Sequence, residues 1–286
     1  MLDYPALAAL AEVIRRSSFE GAAAALHVTP SAISQRIRTL EDRLGAVLID
    51  RGPPVRATAR GLRLAAHLDQ VRLLEAGLSE AGPDLPVLRL AVNADSLAVW
   101  VMPALAAAPG LVDLVIDDQD HALDWLRAGL VVAAISSDGR PVPGCDSLRL
   151  GALRYRATAS PGFAARCFAD GVTADALSRA PAICFNGKDA LQARWVHALT
   201  GRRPVLPLHR IPDPQAFAAA TRLGLGWGMN PESLVRDDLA QGGLVDLAPD
   251  CALDVPLFWQ ISRITAPAIA PLTQAMKKAA AASLLP

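Results

Sequence analysis

The sequence predicts a protein of the α/β class that is built in two parts. Up to about residue 80, apolar residues recur every three or four positions, which indicates helices. Beyond residue 86, short apolar runs alternate with amphipathic segments, as strands that alternate with helices do. The turn-forming segment 81–86 lies between the two parts. With 286 residues and an apolar content of 52%, the chain is long enough for two buried cores.

The N-terminal part begins with a predicted helix over residues 5–16, followed by a helix, a tight turn and a further helix over 19–44. Thr29 suits the N-cap of the last helix and Pro30 its first position. The apolar residues of that helix form one stripe, namely Ile33, Ile37, Leu40 and Leu44. Its polar residues lie opposite or on the flanks: Ser31, Ser34, Gln35, Arg36 and Arg38. Such a helix fits the DNA major groove, although the pattern alone also fits an ordinary surface helix.

A two-stranded wing is predicted after this helix. Residues 47–49 and 55–57 have strand character, and the turn between them places Arg51 and Arg56 where they can reach phosphates or the minor groove. Residues 30–63 carry a net charge of +4 on a chain whose total charge is zero, so this segment is expected to bind a polyanion. We therefore predict a winged helix-turn-helix DNA-binding domain over residues 1–58.

A long helix capped by Thr58 is predicted to run to about Leu78. Its apolar residues recur at spacings of three and four and form a face wider than one small domain needs. That face could pack on its own domain, but a dimerisation helix is favoured, because two recognition helices must be held about one DNA turn apart. Residues 59–85 are accordingly assigned to a linker or dimerisation helix and a hinge.

Residues 86–286 are predicted to form two α/β subdomains with a cleft between them. Strands and helices alternate, which implies parallel sheets with right-handed crossovers. The first three predicted strands are 88–93, 112–117 and 131–136. A second alternating set begins at about residue 155, and the last strand and helix are expected to return to the first sheet. Subdomain I then comprises residues 86–153 and 260–286, and subdomain II comprises 154–259.

The cleft is the expected ligand site, because ligands of open parallel sheets collect at the carboxyl ends of strands and at helix N-termini. The loops at these positions carry polar and acidic residues, namely Asn93, Ala94, Asp95, Ser96, Asp118, Asp120, His121, Ser136, Ser137 and Asp213. Free backbone amides together with several carboxylates suit a basic amino acid. The alternative is that these residues only cap helices or form solvated loops.

Several classes of function are not supported by the sequence. It contains no nucleophile elbow, phosphate loop, zinc-protease motif or dinucleotide fingerprint, so we predict no catalytic residues and no enzyme. The four cysteines lack metal-binding spacing, so no metal or cofactor is expected. No signal peptide or long apolar run is present, which favours a cytoplasmic protein without a membrane partner. An architectural DNA-binding protein with a vestigial cleft, or an enzyme with a DNA-binding appendage, remains as an alternative.

The segment AAAALHVTPSAISQRIRTLEDRLGAVLIDR, residues 22–51, resembles the signature of the LysR-type transcriptional regulators. The resemblance covers essentially the whole chain and implies an effector domain like a periplasmic binding protein. Residues 90–100, LAVNADSLAVW, and Gly226-Trp-Gly-Met229 are similar to the branch that senses lysine and arginine. Members of that branch activate a basic-amino-acid exporter gene, and one is described as an inhibitor of chromosome replication initiation.

This resemblance implies partners and contact residues. The partners are promoter DNA, RNA polymerase, further copies in a homodimer or homotetramer, and an effector that is lysine, arginine or histidine. The DNA-contacting set is Thr29, Ser31, Ser34, Gln35, Arg36, Arg38, Arg51 and Arg56. The family often has Gln where this chain has Pro30, so Ser34 and Gln35 should carry more of the base recognition. A replication-origin DNA-binding protein, or a regulator with another effector, is the alternative.

Overall fold

The computed structural model describes residues 2–76, 85–117 and 121–286. The first of these ranges contains the predicted winged helix-turn-helix and the linker helix. Its elements are α1 (Tyr4–Arg16), α2 (Phe19–Ala25), α3 (Pro30–Leu44), β1 (Ile49–Asp50), β2 (Arg56–Ala57) and α4 (Ala59–Ala76). β1 and β2 pair antiparallel as the wing. The wing strands are shorter than predicted, and each begins later in the chain.

The N-terminal domain has its own apolar core. Leu7 and Leu10 of α1 pack with Ile33 and Ile37 of α3, and all four are fully buried. Ile33 and Ile37 belong to the predicted apolar stripe of α3, and burial of that stripe against α1 holds the two helices together. The opposite side of α3 is left to solvent.

The linker helix α4 is shared between the two domains. Its Leu68 belongs to the core of the N-terminal domain, whereas Leu73 belongs to the core of the following domain. Part of the apolar face of α4, which was predicted to mediate dimerisation, is therefore buried against other elements of the same chain. Leu74 of the same stripe is 36% exposed, and Leu78 lies outside the described residues.

The C-terminal domain contains one curled sheet with parallel strands at both ends. The strand order is β4-β3-β5-β11-β6-β9-β7-β8, and β10 pairs with β6. The strands are β3 (Val87–Val92), β4 (Leu111–Ile116), β5 (Ala133–Ser136), β6 (Cys145–Ala159), β7 (Ala182–Cys184), β8 (Leu208–Arg210), β9 (Trp227–Pro231), β10 (Val245–Asp246) and β11 (Leu253–Ser262).

Helices cover both ends of this sheet. They are α5 (Ala94–Ser96), α6 (Met102–Leu105), α7 (Ala122–Arg127), α8 (Pro161–Cys167), α9 (Ala174–Arg179), α10 (Leu191–Thr200), α11 (Pro214–Arg222), α12 (Glu232–Ala240) and α13 (Ala270–Ser283). A π-helix, Leu97–Val101, joins α5 to α6. No helix in the described ranges is long and apolar enough to cross a membrane.

Two long antiparallel strands, β6 and β11, join the two parallel groups of strands. The second alternating set, predicted to begin at about residue 155, starts within β6, which has 15 residues. The predicted subdomain boundaries at 153/154 and 259/260 fall inside β6 and β11, so the two halves share continuous strands. As predicted, the last strand and helix return to the first half: β11 pairs with β5, and α13 packs on α6.

Candidate DNA-binding surface and effector cleft

The polar side of α3 is accessible along the helix. Thr29, Ser31, Gln35 and Arg38 are exposed, and Ser34 and Arg36 are partly exposed. The cap is formed as expected, because Thr29 Oγ1 accepts a hydrogen bond of 3.2 Å from the backbone N–H of Ala32. No ion pair of Arg36 or Arg38 occurs within the described ranges, so both guanidinium groups remain available to phosphates.

Glu41 connects the recognition helix to the wing. Its Oε1 accepts hydrogen bonds from the backbone N–H groups of Leu48 (2.8 Å) and Ile49 (3.2 Å), and its Oε2 accepts one from Arg51 Nη2 (2.9 Å). The Arg51 guanidinium also lies 5.9 Å from the ring centre of Phe19. Arg51 is thus already engaged inside the domain, and its predicted DNA contact stays a prediction.

Arg56 differs from Arg51 in its surroundings. It lies on β2 with an exposed side chain, and it has no ion pair among the residues that the structure describes. The wing cation most accessible to a phosphate is therefore Arg56. Sequence reasoning missed the role of Glu41, because its main partners are backbone groups that no residue pattern reveals.

A small cavity of about 30 Å³ lies between the two halves of the C-terminal domain. Asn93, Ala94, Asp95 and Asp117 line it from the carboxyl ends of β3 and β4. The opposite wall includes Phe185, Asp189, Phe217, Met229 and Asn230. Asn93, Ala94 and Asp95 belong to the predicted cleft residues, and they directly follow β3.

Two asparagines present unpaired polar atoms to this cavity. Asn93 is 3% exposed, and neither Oδ1 nor Nδ2 has a hydrogen-bond partner among the described residues. Asn230 donates from Nδ2 to Thr158 Oγ1 at 2.9 Å, but its Oδ1 has no partner within the described ranges. A buried polar atom without a partner costs about 1–3 kcal/mol, so these atoms indicate a polar ligand.

The charge of the cavity is negative. Its lining contains the carboxylates of Asp95, Asp117 and Asp189, and no Arg, Lys or His among the described residues. The nearest ammonium group that the hydrogen bonds identify is Lys188 Nζ, which donates to Asp117 Oδ1 at 3.1 Å. Because three negatively charged carboxylates line a small volume, the cavity favours a cation.

Other predicted cleft residues have structural partners instead. Ser136 Oγ accepts from the backbone N–H of Asp138 at 3.0 Å, and Asp213 Oδ1 caps α11 through the N–H of Ala216 at 2.7 Å. The structure does not place Ser96, His121, Ser136, Ser137 or Asp213 in the cavity lining. Ser136 and Asp213 therefore organise a turn and a helix cap, and their contact with an effector stays a prediction. Asp118 and Asp120 lie outside the described residues.

Comparison with known families identifies both domains. The model for the "Bacterial regulatory helix-turn-helix protein, lysR family" matches residues 5–62, and the model for the "LysR substrate binding domain" matches residues 81–281. The chain belongs to the LysR family. It therefore combines a DNA-binding domain with an effector domain of that family.

Individual LysR-family proteins are similar over the full length. LysG from Mycobacterium tuberculosis is 43% identical over 285 residues, covering 98% of this chain and 94% of that protein. The crystal structure of ArgP from Mycobacterium tuberculosis has a TM-score of 0.82 at 41% identity, covering 100% of this chain and 99% of that one. Full-length LysG from Corynebacterium glutamicum, solved with bound effector Arg, has a TM-score of 0.67 at 33% identity and covers 100% of both chains.

These relatives agree with the predicted class. Both LysG and its homologues are HTH-type transcriptional regulators, a family without enzymatic activity, so the LysR-family chain is a regulator and not an enzyme. The lysine- and arginine-responsive branch was also recognised correctly. Sequence reasoning missed Asp189 and Asn230 in the cavity. Asn230 directly follows the Gly226–Met229 motif, which served only to mark the branch.

Proposed function

We propose that this LysR-family regulator binds L-lysine or L-arginine in the cavity between the two halves of its effector domain. The observation that carries the proposal is the combination of polar groups in one cavity. Asn93 has a buried amide without a partner among the described residues, and the carboxylates of Asp95 and Asp117 line the same cavity. An amide can donate to an α-carboxylate and accept from an α-amino group. The carboxylates then suit a side-chain cation, and the apolar wall suits its methylene groups.

Binding in this cavity can change the arrangement of the domain, because the two walls of the cavity belong to different halves. The effector then shifts the equilibrium between two arrangements of the regulator, and it does so only to the extent that it binds one arrangement more tightly than the other. Arginine is the effector bound in the structure of LysG from Corynebacterium glutamicum, which supports this effector class.

Isothermal titration calorimetry tests the effector. The full-length protein is titrated with L-lysine, L-arginine and L-histidine, and with L-leucine as the uncharged control. We expect binding of lysine or arginine and none of leucine. Absence of heat with all three basic amino acids at millimolar concentration would remove the proposed effector and leave a regulator of another ligand.

The DNA contacts are proposed from exposure and charge. Ser34 and Gln35 are expected to read base edges, and Arg36, Arg38 and Arg56 to bind phosphates. Replacement of Arg38 by Ala should reduce the salt slope of DNA affinity by about one, whereas Lys278→Ala on the distant helix α13 should not. Equal slopes for Arg38→Ala and wild type would exclude a phosphate contact of Arg38.

The remaining partners follow from the family. A DNA-bound regulator of this kind acts in the cytoplasm as a homodimer or homotetramer and contacts RNA polymerase at the promoter. The exposed part of the linker-helix stripe, including Leu74, supports pairing between copies.

Control of an amino-acid exporter gene is consistent with a basic amino acid as effector. Footprinting would distinguish this role from that of an architectural or origin-binding protein, which would protect no defined dyad-symmetric promoter site.

A further inference from the structure

Lys188 forms an ion pair that bridges the two halves of the effector domain. Its Nζ donates to Asp117 Oδ1 at 3.1 Å. Asp117 follows β4 in one half, and Lys188 lies between β7 and α10 in the other. The Asp117 side chain is 18% exposed and that of Lys188 is 52% exposed, so the pair lies at the rim of the cavity that Asp117 lines.

The loop that carries Lys188 is held in place by its own hydrogen bonds. Asn186 Oδ1 accepts from the backbone N–H of Lys188 at 2.7 Å and from that of Asp189 at 3.2 Å. Asp189 in turn accepts from the N–H groups of Phe185 (2.8 Å) and Leu191 (3.0 Å). The ammonium group is therefore presented from a fixed backbone, and only its flexible side chain has to move when it leaves Asp117.

Asp117 is also fixed from its own half of the domain. Trp125 Nε1 donates to its Oδ2 at 3.0 Å, which orients the carboxylate with Oδ1 towards Lys188. A second cation that approaches Asp117 meets the positive charge of Lys188 at the same oxygen. Because like charges repel, Lys188 and the second cation compete for the carboxylate of Asp117.

We infer that Lys188 is an internal competitor for the cationic side chain of the effector. In the empty protein its ammonium group neutralises Asp117, and bound lysine or arginine displaces it. This inference rests on the proposed function, because it assigns a specificity role at the same site. A cationic side chain must displace Lys188 before it can pair with Asp117, whereas a neutral side chain leaves the pair between Lys188 and Asp117 in place. Lys188 therefore lowers the affinity for lysine and arginine without lowering the affinity for neutral amino acids.

Calorimetry with matched variants tests this competition. Lys188→Met keeps the length of the side chain and removes its charge, and Lys277→Met makes the same change at an exposed position of α13. The affinity of Lys188→Met for L-lysine and L-arginine should rise about twofold to fivefold, the range for a partly exposed ion pair. L-Citrulline, the neutral isostere of arginine, should gain nothing, and Lys277→Met should bind as wild type does.

Lysine acetylation tests the ion pair first without an effector and then with L-arginine. The sequence has three lysines, so limited acetylation followed by mass spectrometry can compare Lys188 directly with Lys277 and Lys278. The relative reactivity of Lys188 should rise in Asp117→Asn, and in the wild type when L-arginine is added. Asparagine at 117 can still accept from Trp125, so this variant removes the charge while it retains that hydrogen bond.

The outcomes separate this inference from the proposed function. If the wild type binds lysine or arginine but Lys188→Met binds them equally or more weakly, the competitor role is wrong and the effector site stands. If Lys188 is equally reactive in Asp117→Asn and wild type, the ion pair does not form in solution and the inference is wrong. If no variant binds a basic amino acid, the proposed function fails and the inference fails with it.

Discussion

Replacement of Glu41 by Ala should loosen the wing from the recognition helix. The carboxylate of Glu41 is the acceptor for the backbone N–H groups of Leu48 and Ile49, and it also pairs with Arg51. Leu48 is 0% exposed and Ile49 is 1% exposed, so in Glu41→Ala both amides would lose their acceptor in a buried setting. The wing is then expected to open more often than it does in the wild type.

The size of this effect follows from the hydrogen bonds. Each buried amide without an acceptor costs about 1–3 kcal/mol, and partial entry of water reduces the sum for two amides to about 2–4 kcal/mol. Glu41→Gln is the matched control, because its amide oxygen can still accept from both N–H groups. That variant loses the charge of the partly exposed pair with Arg51, which costs at most about 1 kcal/mol.

Hydrogen exchange of the Leu48 and Ile49 amides in the full-length protein measures this effect directly. A loss of 2–4 kcal/mol in local stability corresponds to exchange that is faster by roughly 30-fold to 900-fold in Glu41→Ala. The increase should be less than about tenfold in Glu41→Gln. Unchanged exchange at both amides in Glu41→Ala would refute the assignment of Glu41 as the joint between helix and wing.

Three further predictions concern other parts of the chain. Gly61→Ala should destabilise the N-terminal domain by about 1–3 kcal/mol in thermal unfolding, because its Cβ would collide with the carbonyl oxygen of Leu48; an unchanged midpoint would contradict this. Asn93→Leu should weaken effector binding at least about tenfold in calorimetry. It should not lower the melting temperature, because the buried polar atoms that it removes have no partner among the described residues. A lower melting temperature would show a structural role for Asn93 instead. Hydrogen bonds from Arg140 lower the pKa of Asp138 from 3.8 to about 2, so the stability from this pair is present above about pH 4 and is lost as the pH falls through 2. Acid unfolding of Asp138→Asn should lack this component of at most about 1 kcal/mol, and a profile identical to that of the wild type would exclude it.

The helices of the DNA-binding domain could be predicted because their signals are local. Thr29, Pro30 and the stripe that contains Ile33 and Ile37 specify the start and the buried face of α3 without reference to the rest of the chain. The wing was predicted less well. Its register depends on Glu41, which acts through backbone groups several residues away.

The long strand β6 could not be predicted over its whole length. It pairs with β11, whose residues follow about a hundred positions later, and the register shifts between Leu257 and Phe258. Gly151 within β6 has a φ of +135°, and a side chain there would meet the backbone of Leu285. Residues 146–150 of β6 are all exposed or half-buried, and only the end of the strand, from residue 155, was recognised from the sequence.

The cavity was predicted on one wall and missed on the other. Asn93 and Asp95 follow a strand in sequence, and strand order places them at the sheet edge where ligands collect. Asn230 lies inside β9, where an isolated polar residue gives no sign of its direction. The proposed role of Lys188 depends on its ion pair with Asp117, which is 71 positions away and in the other half of the domain, so the local sequence does not reveal it.

We expect occupation of the cavity to control binding to DNA. The most direct measurement is footprinting of the full-length protein on its own upstream promoter DNA, with and without L-lysine or L-arginine, in the wild type and in Asn93→Leu. We predict a dyad-symmetric protected site whose extent or occupancy changes with the basic amino acid in the wild type only. A footprint that is identical with and without both amino acids, or that changes equally in Asn93→Leu, would contradict it.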